Sequence, residues 1–156
     1  MAAWSDIAEN KLIDWFFRAQ AIGITGASAA AGTGPTTLYV GLLTAAPSDT
    51  GGGTEVTSNA YARVAITSSL ANWAGTQSPG STVASTGNTG TTSNNNVVTF
   101  PTPTPAGWGT VGWSAVFDAL TGGNMLFWAP LTVSKVVNVN DSVTFPAASL
   151  SFQIDN

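Results

Sequence analysis

TVGWSAVFDALTGGNMLFWAPLT, residues 110–132, reads as a β-hairpin. Two alternating runs, Thr110 to Asp118 and Asn124 to Thr132, flank Thr121-Gly122-Gly123-Asn124. A Gly-Gly-Asn cluster between such runs signals a hairpin turn. In the first run Val111, Trp113, Ala115 and Phe117 share a face, and in the second Met125, Phe127, Ala129 and Leu131 do. Trp128 falls on the opposite face from Phe127, which makes it a candidate for a contact outside the chain.

Working outward, Thr36 to Thr44 carries Leu38, Val40 and Leu42 on one side and Tyr39, Gly41 and Leu43 on the other. Apolar residues on both faces predict a central strand. Pro47 is expected to end it, and Ser48 to Thr54, with Gly51-Gly52-Gly53, reads as a turn-rich loop. Ala60 to Ser68 alternates, with Ala62, Val64 and Ile66 expected inward and Tyr61 and Arg63 outward. Val97 to Phe100 is a short strand, and Pro101, Pro103 and Pro105 hold an extended, non-pairing segment. Val133 to Asn138, Val143 to Phe145 and Ser149 to Ile154 complete the set. Short strands separated by turn signals predict a mainly β fold, an antiparallel β-sandwich or jelly-roll-like domain.

One segment, Ser5 to Ile22, has helical period, so the β-domain carries one N-terminal amphipathic α-helix. Asp6 with Glu9 fits a capping box, with Ser5 as the rival N-cap, and Gly23 is the expected stop. Ala8, Leu12, Trp15, Phe16, Ala19 and Ile22 share the face expected to seal the core, while Lys11, Asp14 and Arg18 share a polar one. The Asp14–Arg18 spacing allows a pair worth ~0.3 kcal/mol in an isolated helix. Ile13 and Phe17 widen the apolar arc and offer a second surface to a neighbouring subunit. The expected layout is a single domain, 1–156, with the helix at 5–22, a flexible linker at 23–35, a β-domain at 36–155 and a long polar excursion at 74–96.

Composition narrows the chemistry. Net charge is −4 and only 8% of residues are charged, so no basic stripe invites nucleic acid. No apolar run is long enough to span a membrane. The chain has no Cys and no His, which removes the common nucleophile–base pairs and zinc sites. Gly107-Trp108-Gly109-Thr110-Val111-Gly112 matches a dinucleotide fingerprint by letter, but a strand follows where a helix is needed. Asp49, Glu55, Asp118 and Asp141 sit in or beside turn signals, where acids bond local backbone. The expectation is therefore no catalytic, cofactor-binding or metal-ligating residue. Of the six Trp, Trp15, Trp113 and Trp128 read as core or subunit-interface anchors, with sugar stacking as the alternative role, and Trp73 and Trp108 flank loops. The candidate assembly interface is Leu12, Ile13, Trp15, Phe16, Phe17 and Trp128.

Several stretches occur together in order: Ala8-Glu9-Asn10-Lys11-Leu12-Ile13-Asp14; Leu38 to Pro47; Glu55-Val56 followed by Tyr61-Ala62-Arg63; Trp108-Gly109-Thr110-Val111; Phe117-Asp118-Ala119; and Gly122-Gly123-Asn124-Met125-Leu126. The set resembles small bacteriophage virion proteins, labelled tail-fibre proteins and similar to head-decorating ones. The resemblance implies a non-enzymatic, cofactor-free virion component assembled in the host cytoplasm. Its partners would be the major capsid protein or tail proteins, and copies of itself as a trimer or dimer. A capsid decoration or cement protein is the first expectation, a tail-fibre or tail-tip module the second. A Trp-based module for host surface glycan is the third.

Overall fold

β1 (Thr37–Ser48) is the strand around which the larger sheet is built. In the computed structural model, which describes residues 4–24 and 34–154, the order of elements is α1 (Asp6–Arg18), β1, β2 (Gly51–Glu55), β3 (Val64–Thr67), β4 (Thr91–Ser93), β5 (Val98–Thr99), β6 (Gly109–Phe117), β7 (Met125–Val137), β8 (Thr144–Phe145) and β9 (Ser151–Gln153). The fold is mainly β, with antiparallel sheets and one N-terminal helix. The linker expected at 23–35 falls mostly outside the described residues.

Two compact units interleave along the chain. One comprises the described residues of Met1–Thr37, Thr67–Val97 and Pro146–Asn156; the other comprises Leu38–Ile66 and Val98–Phe145.

In the second unit β1 is central, as its two apolar faces predicted. It pairs with β6 on one side and with β2 and β3 on the other, and β7 extends the sheet beyond β6. Leu38, Val40 and Leu42 are fully buried on one face. On the other, Leu43, Ala115 and Phe117 form a core against which Tyr39, Trp113 and Met125 pack. Pro47 does not end β1. The strand runs on to Ser48 and turns directly into β2, with Pro47 opposite Gly52 and Ser48 opposite Gly51. The expected glycine loop is thus a strand. Gly51, Gly52 and Gly53 hold φ of +95°, +86° and +76°, which residues bearing a Cβ rarely adopt. A Cβ on Gly53 would also crowd Ala45 and Pro47 at 3.2 Å.

The hairpin at 110–132 forms as read, and its register settles the faces. Ala115 lies opposite Trp128 and Val116 opposite Phe127. Trp113, Ala115 and Phe117 therefore share a face with Trp128, not with Phe127. β7 continues in one piece to Val137, absorbing the expected separate strand at 133–138. An irregularity lies between the pairs Trp113–Pro130 and Val111–Lys135. The alternation expected over 60–68 holds only for Val64–Thr67. Ala62 is exposed, while Tyr61 and Arg63 turn inward onto Glu55, reversing the expected faces. Trp108, 6% exposed, joins Tyr61, Phe100 and Phe145 in an aromatic cluster, with Tyr61 and Trp108 edge to face at 5.3 Å.

The first unit packs α1 with β4 and β9. Phe17, Trp73 and Phe152 make its aromatic centre, Phe17 and Trp73 at 4.9 Å edge to face. Burying rings of this size contributes about 1.5–3 kcal/mol each. Phe152 is buried between exposed Ser151 and Gln153, as their alternation predicted. Residues 74–96, expected as an exposed excursion, are exposed over most of 78–89 and anchored by buried stretches at either end. They contain β4, and Ala74, Thr76, Thr92, Ser93 and Asn94 are all buried. Side chains satisfy the backbone there: Asn94 donates to Pro146 O and accepts from Leu150 N–H, and Thr92 donates to Ala74 O. Burial of hydrogen-bonded polar residues leaves no hydrophobic period to read.

Candidate assembly surface

α1 begins where Ser5 caps it. The Ser5 hydroxyl accepts from Ala8 N–H at 3.4 Å, so Ser5 and not Asp6 is the N-cap. The helix stops at Ala19, in the left-handed region at φ +53°, before the expected Gly23. Gln20 N–H reaches back to Asp14 O at 3.0 Å, closing the end in the manner of a Schellman turn.

The orientation of α1 differs from expectation. Its buried stripe is Glu9, Ile13, Asp14, Phe17 and Arg18. Ile13 and Phe17, both 0% exposed, are core residues and leave the candidate interface. Leu12, Trp15 and Phe16, the face expected to seal the core, are half-buried, and Trp15 and Phe16 meet edge to face at 4.6 Å. Trp4 and Ile7, at the start of the helix, are 56% and 72% exposed.

Arg18 explains the rotation. Its guanidinium, wholly buried, donates to Asp14 Oδ1 at 2.6 Å, to Trp73 O at 3.1 Å and to Val83 O at 2.6 Å, with Ser81 O and Ser85 Oγ also in reach. Asp14 in turn accepts from Ser85 N–H and Oγ–H. One ion pair thus ties α1 to the polar segment 73–85.

In the second unit Arg63 grips Glu55 through two contacts of 2.7 Å each, a bidentate fork. Its remaining nitrogen donates to Ala119 O at 2.6 Å and Gly122 O at 2.8 Å, fastening the β6–β7 turn. The guanidinium carbon lies 3.4 Å from the centre of the Phe117 ring. Tyr61 accepts from Leu42 N–H at 2.8 Å and donates to Glu55 at 3.0 Å. Burial foremost, with the Glu55 charge beside it, pushes its phenol well above the ordinary range. The same turn is closed by Asp118, which accepts from the Asn124 side chain and backbone N–H, and these bonds lower its carboxyl pKa. Asp141 likewise accepts from Asn138 N–H.

These charged groups are bonded to one another and to backbone, the arrangement of structural clamps. Among the described residues no group of three His, Cys, Asp or Glu could hold a metal ion. What the second unit presents outward is β7. It is an edge strand, with Trp128 39% exposed, Val133 65% and Val136 63%. Val133 and Val136 were not singled out from sequence, because nothing in their alternation says which strand lies at an edge.

The family described as Podophage GP4 fiber I protein gp80 matches residues 3–153. The chain belongs to that family. As a member of a phage fibre family it is a structural component of the virion. No match was found among curated proteins.

Proposed function

We propose that the chain is a non-enzymatic fibre component of a podophage tail, assembling with copies of itself and with tail proteins. The observation that carries this reading is the family match over nearly the whole chain. The fibre description of that family supports the fibre reading, which fits at least as well as capsid decoration. The edge strand β7 supports assembly: Trp128, Val133 and Val136 place large apolar side chains in water on a strand whose outer backbone groups have no strand partner among the described residues. The half-buried Leu12, Trp15 and Phe16 offer a second contact surface on the first unit.

Copy number per virion tests the position. Quantitative mass spectrometry against the major capsid protein should return a few copies, in multiples of three or six. Hundreds of copies in simple ratio to the capsid protein would overturn the tail reading in favour of decoration. Light scattering tests self-assembly: Val136→Asp should reduce the mass of the particle in solution while leaving the circular dichroism spectrum unchanged.

A further inference from the structure

We propose that a hydroxyl-lined cavity in the first unit, between the β4–β9 pair and residues 74–79, binds an uncharged sugar ring. It opens to solvent, and its volume of about 240 Å³ is enough for one pyranose with its hydroxyls.

The antiparallel register builds it. Ser93 lies opposite Ser151 and Thr91 opposite Gln153, so these side chains share one face of the pair, while Thr92 and Phe152 share the other. Thr91, Ser93 and Ser151 all line the cavity. Ser93 is only 5% exposed, and its hydroxyl makes no hydrogen bond to another described residue. In a residue otherwise enclosed, a hydroxyl without a protein partner that solvent can reach is a donor and acceptor open to a ligand in the cavity. Thr91 donates to Thr89 O, which leaves its lone pairs as acceptors.

The rest of the wall decides the class of ligand. No Asp, Glu, Lys or Arg lines the cavity, so a charged ligand would lose hydration with nothing to replace it. No aromatic or large aliphatic side chain lines it either, so an apolar ligand would gain little. What remains is the hydroxyls of Ser78, Ser93 and Ser151, free to donate and accept, threonine oxygens whose protons are already given to the protein and which can only accept, and Ala74, Pro79 and Ala148 as small apolar patches. That pattern complements a ring bearing hydroxyls on its rim and C–H groups on its faces. The frame is set before any ligand arrives: Ala74 N–H bonds Ser93 O at 2.8 Å, Gly75 N–H bonds Ser81 O at 3.1 Å, and Ala148 N–H bonds Asn94 O at 2.7 Å. The side chain of Gln77 is tied to Ser81, Ala84 and Thr86. The site stands on this lining and does not depend on where in the virion the chain sits.

The test is a titration of the ¹⁵N-labelled full chain with glucose, galactose and N-acetylglucosamine, and with glucuronate and galacturonate as charged counterparts. The expected result is a saturable amide shift at Thr91, Ser93, Ser151 and residues 74–79 with at least one uncharged sugar. The charged counterpart should bind about tenfold more weakly or worse. Ser151→Leu, at an exposed strand position, should fill the cavity mouth and abolish the shifts with the spectrum still dispersed; Ser93→Ala should weaken them severalfold. No saturable shift with any sugar would overturn the proposal. So would shifts that persist undiminished in Ser151→Leu, or equal binding of the uronates. Should Ser151→Leu fail to fold, binding by Ser93→Ala at full strength would overturn it instead.

Discussion

Arg18 braces the first unit internally and Arg63 the second, in the same way but in different surroundings. Each is paired with a carboxylate, and each turns its remaining donors onto the carbonyls of a polar loop. Arg18 is wholly enclosed, and the Asp14 side chain is 7% exposed; the Glu55 side chain beside Arg63 is 20% exposed. An enclosed charge stripped of its partner has no water to turn to, whereas a half-open one is rehydrated. The two clamps should therefore fail unequally.

Arg18→Leu should show the largest effect, about 3–5 kcal/mol of lost stability, because it strands Asp14 in the interior. Urea unfolding measures the loss, and amide exchange should rise across residues 73–85 first. Adding Asp14→Ala should restore only part of it, since the carbonyls of Trp73 and Val83 still lack donors. Arg63→Leu should cost less, about 2–3 kcal/mol, with exchange rising in the 119–123 turn. Equal losses from Arg18→Leu and Arg63→Leu would break the distinction between the clamps.

Tyr61 sharpens the comparison through pH. The unfolded chain loses its phenolic proton near the ordinary value of 10.0, while the folded chain keeps it to higher pH. Stability should be flat in this respect below pH 10 and should fall as pH rises beyond it. Tyr61→Phe should cost about 1–2 kcal/mol at neutral pH, since Leu42 N–H loses its acceptor, and should remove the alkaline slope. The first unit has no comparable buried phenol among its described residues, so its exchange should lack that slope. The smallest effect is a gain: Ala19→Gly relieves a left-handed residue at the end of α1 and should add about 0.5–1 kcal/mol, read as a raised urea midpoint.

The legible parts of the fold are those where burial follows a period. The 110–132 hairpin, the central place of β1 and the Ser151–Phe152–Gln153 alternation could all be read from spacing. β2 could not, because three glycines carry no pattern and their positive φ exists only within the hairpin. The buried ends of 74–96 could not, because their enclosed side chains are chiefly Thr and Asn bonded to backbone. The helix was found but turned wrongly. Ile13 and Phe17 lie beside Leu12, Trp15 and Phe16, so the apolar arc fits either rotation. The carbonyls of Trp73 and Val83, which draw Arg18 inward, settle it from far along the chain. Of the candidate surface, Trp128 is 39% exposed, on the other face of its strand from Phe127. The cavity hydroxyls were not legible, since only strand register brings Ser93 and Ser151 together.

The inward turn of both arginines has a further consequence, for digestion. Trypsin cuts after Lys and Arg, of which the chain has four in all. Arg18 is sealed, the Arg63 side chain is 7% exposed, Lys11 lies within α1 and Lys135 within β7. A protease needs several residues of loose backbone to bind, and none of these bonds lies in a loop tip. The native protein should therefore survive trypsin while remaining open to chymotrypsin near exposed Leu120 in the 119–123 turn. This component would withstand a trypsin-rich medium without a single disulfide of its own.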